Sequence, residues 1–119
     1  MKVSILFDFG ATDSFISSTF VAHCDISMVK EKDRWQVELV SGSRVCADVI
    51  ALDCKIHLES FSTLANLRVI PLGSYDIVLG MDWLEQHLAI LDCKVKSINC
   101  VDDSGSARVI TGIKRPISL

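Results

Sequence analysis

Apolar positions along this chain come in short runs, several of them alternating with polar positions and separated by turn residues. That rhythm belongs to short strands rather than long helices. Residues 3–7 read as a buried strand that stops at Asp8, and residues 8–13 as a loop. Asp13 or Ser14 can cap a short helix over 15–23, with Phe15, Ile16, Phe20 and Val21 turned inward. Trp35, Val37 and Leu39 alternate with Gln36, Glu38 and Val40, residues 44–50 alternate again, and Ser41-Gly42-Ser43 lies between them. The spacing predicts a β-hairpin with Gly42 at its tip. A third strand is expected over 51–59, with Leu52, Cys54, Ile56 and Leu58 on one face, and a fourth over 66–71. Ile77-Val78-Leu79 is a fully apolar strand stopped by Gly80. After it, residues 81–87 predict a short helix with Met81, Leu84 and Leu88 on its inner face and Leu84 deeper than Trp83. Residues 89–92 and 96–100 read as strands around a turn, 102–106 as a polar turn, 107–111 as a last strand and 112–119 as a frayed tail. Seven or eight short strands with one or two short helices predict an all-β domain, a small closed or partly closed β-barrel.

Composition narrows the function classes. A length of 119 residues fits one domain, and a hydrophobic share of 50% suggests surface that a partner covers. The net charge of −3 leaves no basic footprint for nucleic acid. No apolar run approaches the ~20 residues of a membrane-spanning helix. No signal peptide is read, because Lys2 is the only early positive charge and Asp8 interrupts the first apolar stretch. The five cysteines, Cys24, Cys46, Cys54, Cys93 and Cys100, form no Cys-x-x-Cys pair. They read as reduced core thiols of an intracellular protein, with no metal site. His23, His57 and His87 are scattered and read as surface or structural residues.

Candidate chemistry sits at Asp8. A carboxylate at the end of an apolar strand is either repaired locally or placed for a reaction, because burying it unpaired is costly. Asp8-Phe9-Gly10 suits a simple Asx turn as well as a catalytic loop. A kinase-type metal-binding triplet is excluded: no Gly-rich loop, strand lysine or catalytic loop lies ahead of it.

Three segments together carry a family resemblance. They are Phe7-Asp8-Phe9-Gly10-Ala11-Thr12-Asp13-Ser14-Phe15-Ile16-Ser17, the hairpin over 37–49, and Tyr75-Asp76-Ile77-Val78-Leu79-Gly80-Met81-Asp82-Trp83-Leu84 followed by His87 and Ile90-Leu91-Asp92-Cys93. In this order and spacing, over about residues 3–100, the chain resembles the retropepsin-type aspartic proteases, in particular those of Ty3/Gypsy LTR retrotransposons. The resemblance implies a retropepsin-type barrel and an aspartic endopeptidase acting as a homodimer. Asp8 would be the catalytic residue, one per subunit. Gly10, Ala11, Thr12 and Asp13 would line the substrate cleft, and Ser41, Gly42 and Ser43 would form the tip of a flap over it. Phe9, Ile77, Val78, Leu79 and Gly80 would support the catalytic loop. The implied substrate is an extended polyprotein segment with apolar side chains at the cleaved bond, hydrolysed in mild acid. The resemblance implies no cofactor, no metal, no nucleic-acid contact and no membrane. It places the protein in the cytoplasm or in retrotransposon particles.

No second Asp-x-Gly lobe is read in the chain, which is why the second aspartate is expected from another copy. Two departures bear on activity. Phe9 stands where the family carries Ser or Thr, losing a hydroxyl and adding volume at the expected dimer centre. The family also usually has a further strand ahead of the one at 3–7. The alternative expectation is therefore a catalytically impaired dimerisation or peptide-binding module of the same fold.

Overall fold

The computed structural model describes residues 3–24, 26–32, 36–38 and 42–111. Along them run β1 (Ile5–Phe7), β2 (Phe15–Ser17), α1 (Ser18–Val21), β3 (Met28–Lys30), β4 (Gln36–Glu38), β5 (Arg44–Cys46), β6 (Val49–His57), β7 (Ser62–Ile70), β8 (Ile77–Leu79), α2 (Met81–Gln86), β9 (Ile90–Asp92), β10 (Ser97–Val101) and β11 (Ala107–Ile110). Trp35, Leu39, Val40 and Ser41, and the tail 112–119, lie outside the described residues.

The strands divide among a six-stranded sheet in the order β1-β8-β2-β7-β6-β3, a three-stranded sheet β11-β10-β9 and the two-stranded hairpin β4-β5. This mostly-β arrangement fits the partly closed form of the expected architecture, not one continuous closed barrel. Parallel pairing of β1 with β8 sets Ile5 opposite Ile77 and Phe7 opposite Leu79. It brings the loop that follows β1 to the start of α2. A strand flanked by neighbours and covered on both faces needs an unbroken apolar run. Ile77, Val78 and Leu79 supply it, and all three are buried. Ile16, Leu67, Leu79, Leu84 and Ile98 are the largest apolar side chains no more than 1% exposed.

Several local expectations are corrected. The helix expected over 15–23 is a strand followed by one short turn of helix. Phe15 and Ile16 pair with β7 on one side and β8 on the other, and these sheet contacts outweigh local helix preference. The expected alternation from Leu52 fails because Asp53 adopts φ 48° within a register shift between Ala51 and Cys54. This bulge turns Ala51 and Cys54 to the same face and leaves Leu52 half-buried. Residues 49–50, assigned to the hairpin, belong to the long strand β6, and β7 starts at Ser62, ahead of the expected 66.

On α2, Trp83 is sealed as fully as Leu84, at 3% and 1% exposed. Leu88, expected inward, is 67% exposed, because the helix ends at Gln86 and Leu88 turns the chain at φ 52°. The five cysteines are free thiols, but only Cys54 and Cys100 are buried; Cys46 and Cys93 are exposed. Burial pushes both buried thiols above the ordinary thiol range; Cys24 and Asp53 add to the shift at Cys54, and Asp102 to that at Cys100. Among the described residues no helix is long and apolar enough to cross a membrane.

Candidate active site

Where β1 ends, its ladder with β8 continues by one bond: the Asp8 N–H donates to the Leu79 carbonyl at 2.9 Å. The chain then turns on itself. The Gly10 N–H donates to Asp8 Oδ1 at 2.8 Å, and the Ala11 N–H to the Asp8 carbonyl at 3.2 Å. Asp8 thus forms the Asx turn that its sequence suits. The turn spends one carboxylate oxygen on the backbone and fixes the direction of the other.

The rest of the loop is laid onto α2. The Met81 N–H donates to the Ala11 carbonyl at 2.7 Å and the Asp82 N–H to the Thr12 carbonyl at 3.1 Å. Gly80 permits this approach. A Cβ there would run into the carbonyl oxygen of Asp13 and lie 2.8 Å from that of Ala11. Its φ of −97° is ordinary, so the glycine is required by space and not by backbone conformation.

One buried hydroxyl and one carboxylate lock the contact. Ser14 Oγ–H donates to Asp82 Oδ1 at 2.6 Å while Oγ accepts from the Gly80 N–H at 3.0 Å. The Ser14 N–H reaches Asp82 Oδ2 at 3.2 Å, and the Trp83 N–H reaches Asp82 Oδ1 at 2.7 Å. Ser14 and Asp82 were not read from sequence as site residues. Their signals were a small polar residue beside an apolar run and an acid in the first turn of a helix, both common.

Of the expected site residues, Asp8, Ala11 and Asp13 are half-buried, and Gly10 and Thr12 are exposed. Thr12 Oγ–H donates to Asp13 Oδ2 at 3.1 Å. Ile77, Val78, Leu79 and Gly80 are buried beneath the loop. Phe9 is half-buried and packs against the chain's own core. Gly42 and Ser43 are exposed on the β4–β5 hairpin, a sheet of its own, and Gly42 has φ 88° as its turn requires.

Behind α2 lies a polar cluster. The Trp83 indole N–H donates to Thr63 Oγ at 3.1 Å, and the Thr63 hydroxyl donates to Asp103 Oδ1 at 2.6 Å. His87 is buried and stacks on Trp83 with ring centroids 4.2 Å apart. Its Nε2 faces Asp103 Oδ1 at 2.8 Å and its Nδ1 faces the Trp83 carbonyl at 2.9 Å. The Thr63 hydroxyl, against an opposing effect of burial, and then His87 and the Leu64 N–H hold the Asp103 carboxyl below the usual carboxylate range.

This cluster settles a point that the sequence reading passed over. Asp103-Ser104-Gly105 also fits an Asp-x-Gly triplet. The structure uses it as the β10–β11 turn, with Gly105 at φ 89° and Asp103 engaged by Thr63 and Leu64. Among the described residues no group of three or more His, Cys, Asp or Glu side chains is placed to hold a metal ion.

The family model described as "Retroviral aspartyl protease" matches residues 1–106 of the chain. Comparison with curated proteins returns no match. Among solved structures, the chain is similar to the retroviral protease-like domain of Ddi1 from Leishmania major, with a TM-score of 0.62 and 17% identity over 95% of this chain and 88% of that one. At that identity the likeness concerns the fold alone.

Proposed function

Because the chain belongs to the retroviral aspartyl protease family, we propose that it is an aspartic endopeptidase in which Asp8 of two copies forms the catalytic pair. The observation that carries this reading is the fixed Asp8 turn, with Oδ1 held by Gly10 at 2.8 Å on a loop laid against α2. Peptide hydrolysis needs a base to activate water and an acid to protonate the leaving amine. Two carboxylates held close share one proton and fill both roles. A two-fold dimer brings the same residue of each copy to its axis, so one such loop per chain is enough. The substrate is an extended segment of a polyprotein, of the kind encoded by Ty3/Gypsy-type elements, and the β4–β5 hairpin closes over it. Gly10, Ala11, Thr12 and Asp13 line the cleft around the reacting bond, and Phe9 supports the loop from the core side.

The deciding experiment assays cleavage of a peptide library in mild acid together with sedimentation mass. Asp8→Asn is expected to remove activity while leaving the mass unchanged. Undiminished cleavage by Asp8→Asn sinks the proposal.

A second reading, a dimerisation or peptide-binding module without turnover, is favoured by Phe9, whose ring is partly absorbed by its own core in place of a hydroxyl. Comparing the parent with Phe9→Ser separates the two. Cleavage by the parent supports the peptidase; cleavage by Phe9→Ser alone supports a module in which Phe9 has silenced the site.

A further inference from the structure

Arg68 stands in the middle of β7 and touches three parts of the molecule at once. Its backbone pairs with Phe15 of β2 and Ile50 of β6, and its N–H donates to the Ser14 carbonyl at 3.0 Å. It is thus fixed to the strand that leaves the Asp8 loop. Its side chain, 13% exposed, runs the other way, to the root of the β4–β5 hairpin. Nη1 donates to the Ala47 carbonyl at 2.9 Å, and Nη2 donates to Glu31 Oε1 at 3.1 Å.

Glu31 directly follows β3, ahead of the hairpin in the chain, and Ala47 directly follows β5. The Glu31 N–H also donates to the Asp48 carbonyl at 2.7 Å, so these two flanking segments are joined where Arg68 grips them. The neighbouring Lys30–Asp48 pair, 4.0 Å apart with Lys30 well exposed, adds little. A guanidinium is a rigid fork whose prongs can hold a carbonyl and a carboxylate together; an ammonium is a single point of charge. The Glu31 contact is charge-assisted and partly shielded from water, which makes it one of the stronger bonds in this region.

We propose that Arg68 is a positioning residue that pins the segments flanking the β4–β5 hairpin, at Glu31 and Ala47, to the strand that leaves the Asp8 loop, so that the hairpin is held in a fixed position relative to that loop. The kinetic consequence rests on the peptidase reading above; the structural consequence does not.

The test compares the parent with Arg68→Met, Arg68→Lys and Glu31→Gln by amide hydrogen exchange and by peptidase kinetics. Arg68→Met is expected to speed exchange of the hairpin amides by about tenfold, the worth of one charge-assisted hydrogen bond, while the β6–β7 amides keep the parent's protection. Arg68→Lys is expected to recover only part of that protection, because it cannot grip both segments. Glu31→Gln keeps the Ala47 contact and the fold, and is expected to show a smaller loss confined to the hairpin. In cleavage, the same order is expected in KM, with kcat changing far less. Hairpin protection equal to the parent's in all three variants overturns the proposal. So does equal loss in the hairpin and in β6–β7, which would make Arg68 a general stabiliser. A parent that cleaves nothing removes the peptidase reading and leaves the exchange comparison to decide the positioning role.

Discussion

The Asp8 loop and the β4–β5 hairpin each depend on a glycine, and the two glycines do opposite things. Gly80 has an ordinary backbone and no room, because the loop carbonyls of Ala11 and Asp13 press on the place a Cβ would take. Gly42 has open space around it and φ 88°, a conformation that side chains resist. The first glycine serves packing and the second serves a turn. The same contrast runs through the surroundings. The loop is stitched to α2 by backbone bonds and the Ser14–Asp82 lock, over a sealed strand. The hairpin is two short strands whose described residues are exposed or half-buried. In this molecule the Asp8 loop is fixed against α2 and the sealed β8, whereas the described strands of the hairpin lie open to solvent.

The largest break in that contrast is predicted for Gly80→Ala. Backbone carbonyls cannot swing away as a side-chain tip can, so the loop must lift from α2, at a cost of about 3 kcal/mol in chemical unfolding. Retained stability together with an undisturbed Asp8 turn would show that the loop is less tightly seated than described. Ser14→Ala comes next. It leaves Asp82 Oδ1 and the Gly80 N–H without the hydroxyl that served both, and about 2 kcal/mol of destabilisation is expected. Ser14→Thr is expected to recover part of it; a null effect in Ser14→Ala would mean that the backbone bonds alone hold the loop.

Asp103→Asn sharpens the comparison through pH. The carboxyl of Asp103 is held below its ordinary value of 3.8 in the folded chain, so the unfolded chain binds its proton first as the solution is acidified. Its contribution is therefore complete above that ordinary value and lost as pH falls through the folded one. The melting temperature of Asp103→Asn should lie below the parent's at neutral pH, and the gap should shrink on acidification. A constant gap would assign the loss to packing. Asp102, held low by the Ser104 hydroxyl first and then by Arg108, steepens the acid limb in both proteins alike.

The smallest effect is expected for Gly42→Ala. With nothing for a Cβ to meet, only backbone strain acts, and a loss of roughly 1 kcal/mol should appear as faster exchange in the hairpin with little change in global unfolding.

How much of this was legible in the sequence follows from how far each signal reaches. Ile77-Val78-Leu79 ending in Gly80 announces a central strand and its stop, because an unbroken apolar run is itself the signal. Asp8 after Phe7 is as visible. The Asp53 bulge was not, since one left-handed residue within an alternating run leaves the hydrophobic pattern nearly intact while shifting its phase. Trp83 read as less buried than Leu84 because its indole N–H needs a buried acceptor, and that acceptor, Thr63, lies 20 positions away. Arg68 looked like an ordinary charged residue in a strand. Its partners, 37 and 21 positions away, meet it only after β6, β7 and the hairpin root are in place. Asp103-Ser104-Gly105 shows the converse, a visible triplet that the fold uses as a turn.

The Ser14–Asp82 bond joins residues 68 positions apart, and it also bears on timing. A ribosome releases Asp8 long before it releases Gly80 and α2. Until they arrive, the loop has no floor, and the parallel β1–β8 ladder that aims it cannot form. Contacts this distant in sequence form late and slowly compared with local ones. The Asp8 loop is thus made early and seated late, once α2 has left the ribosome.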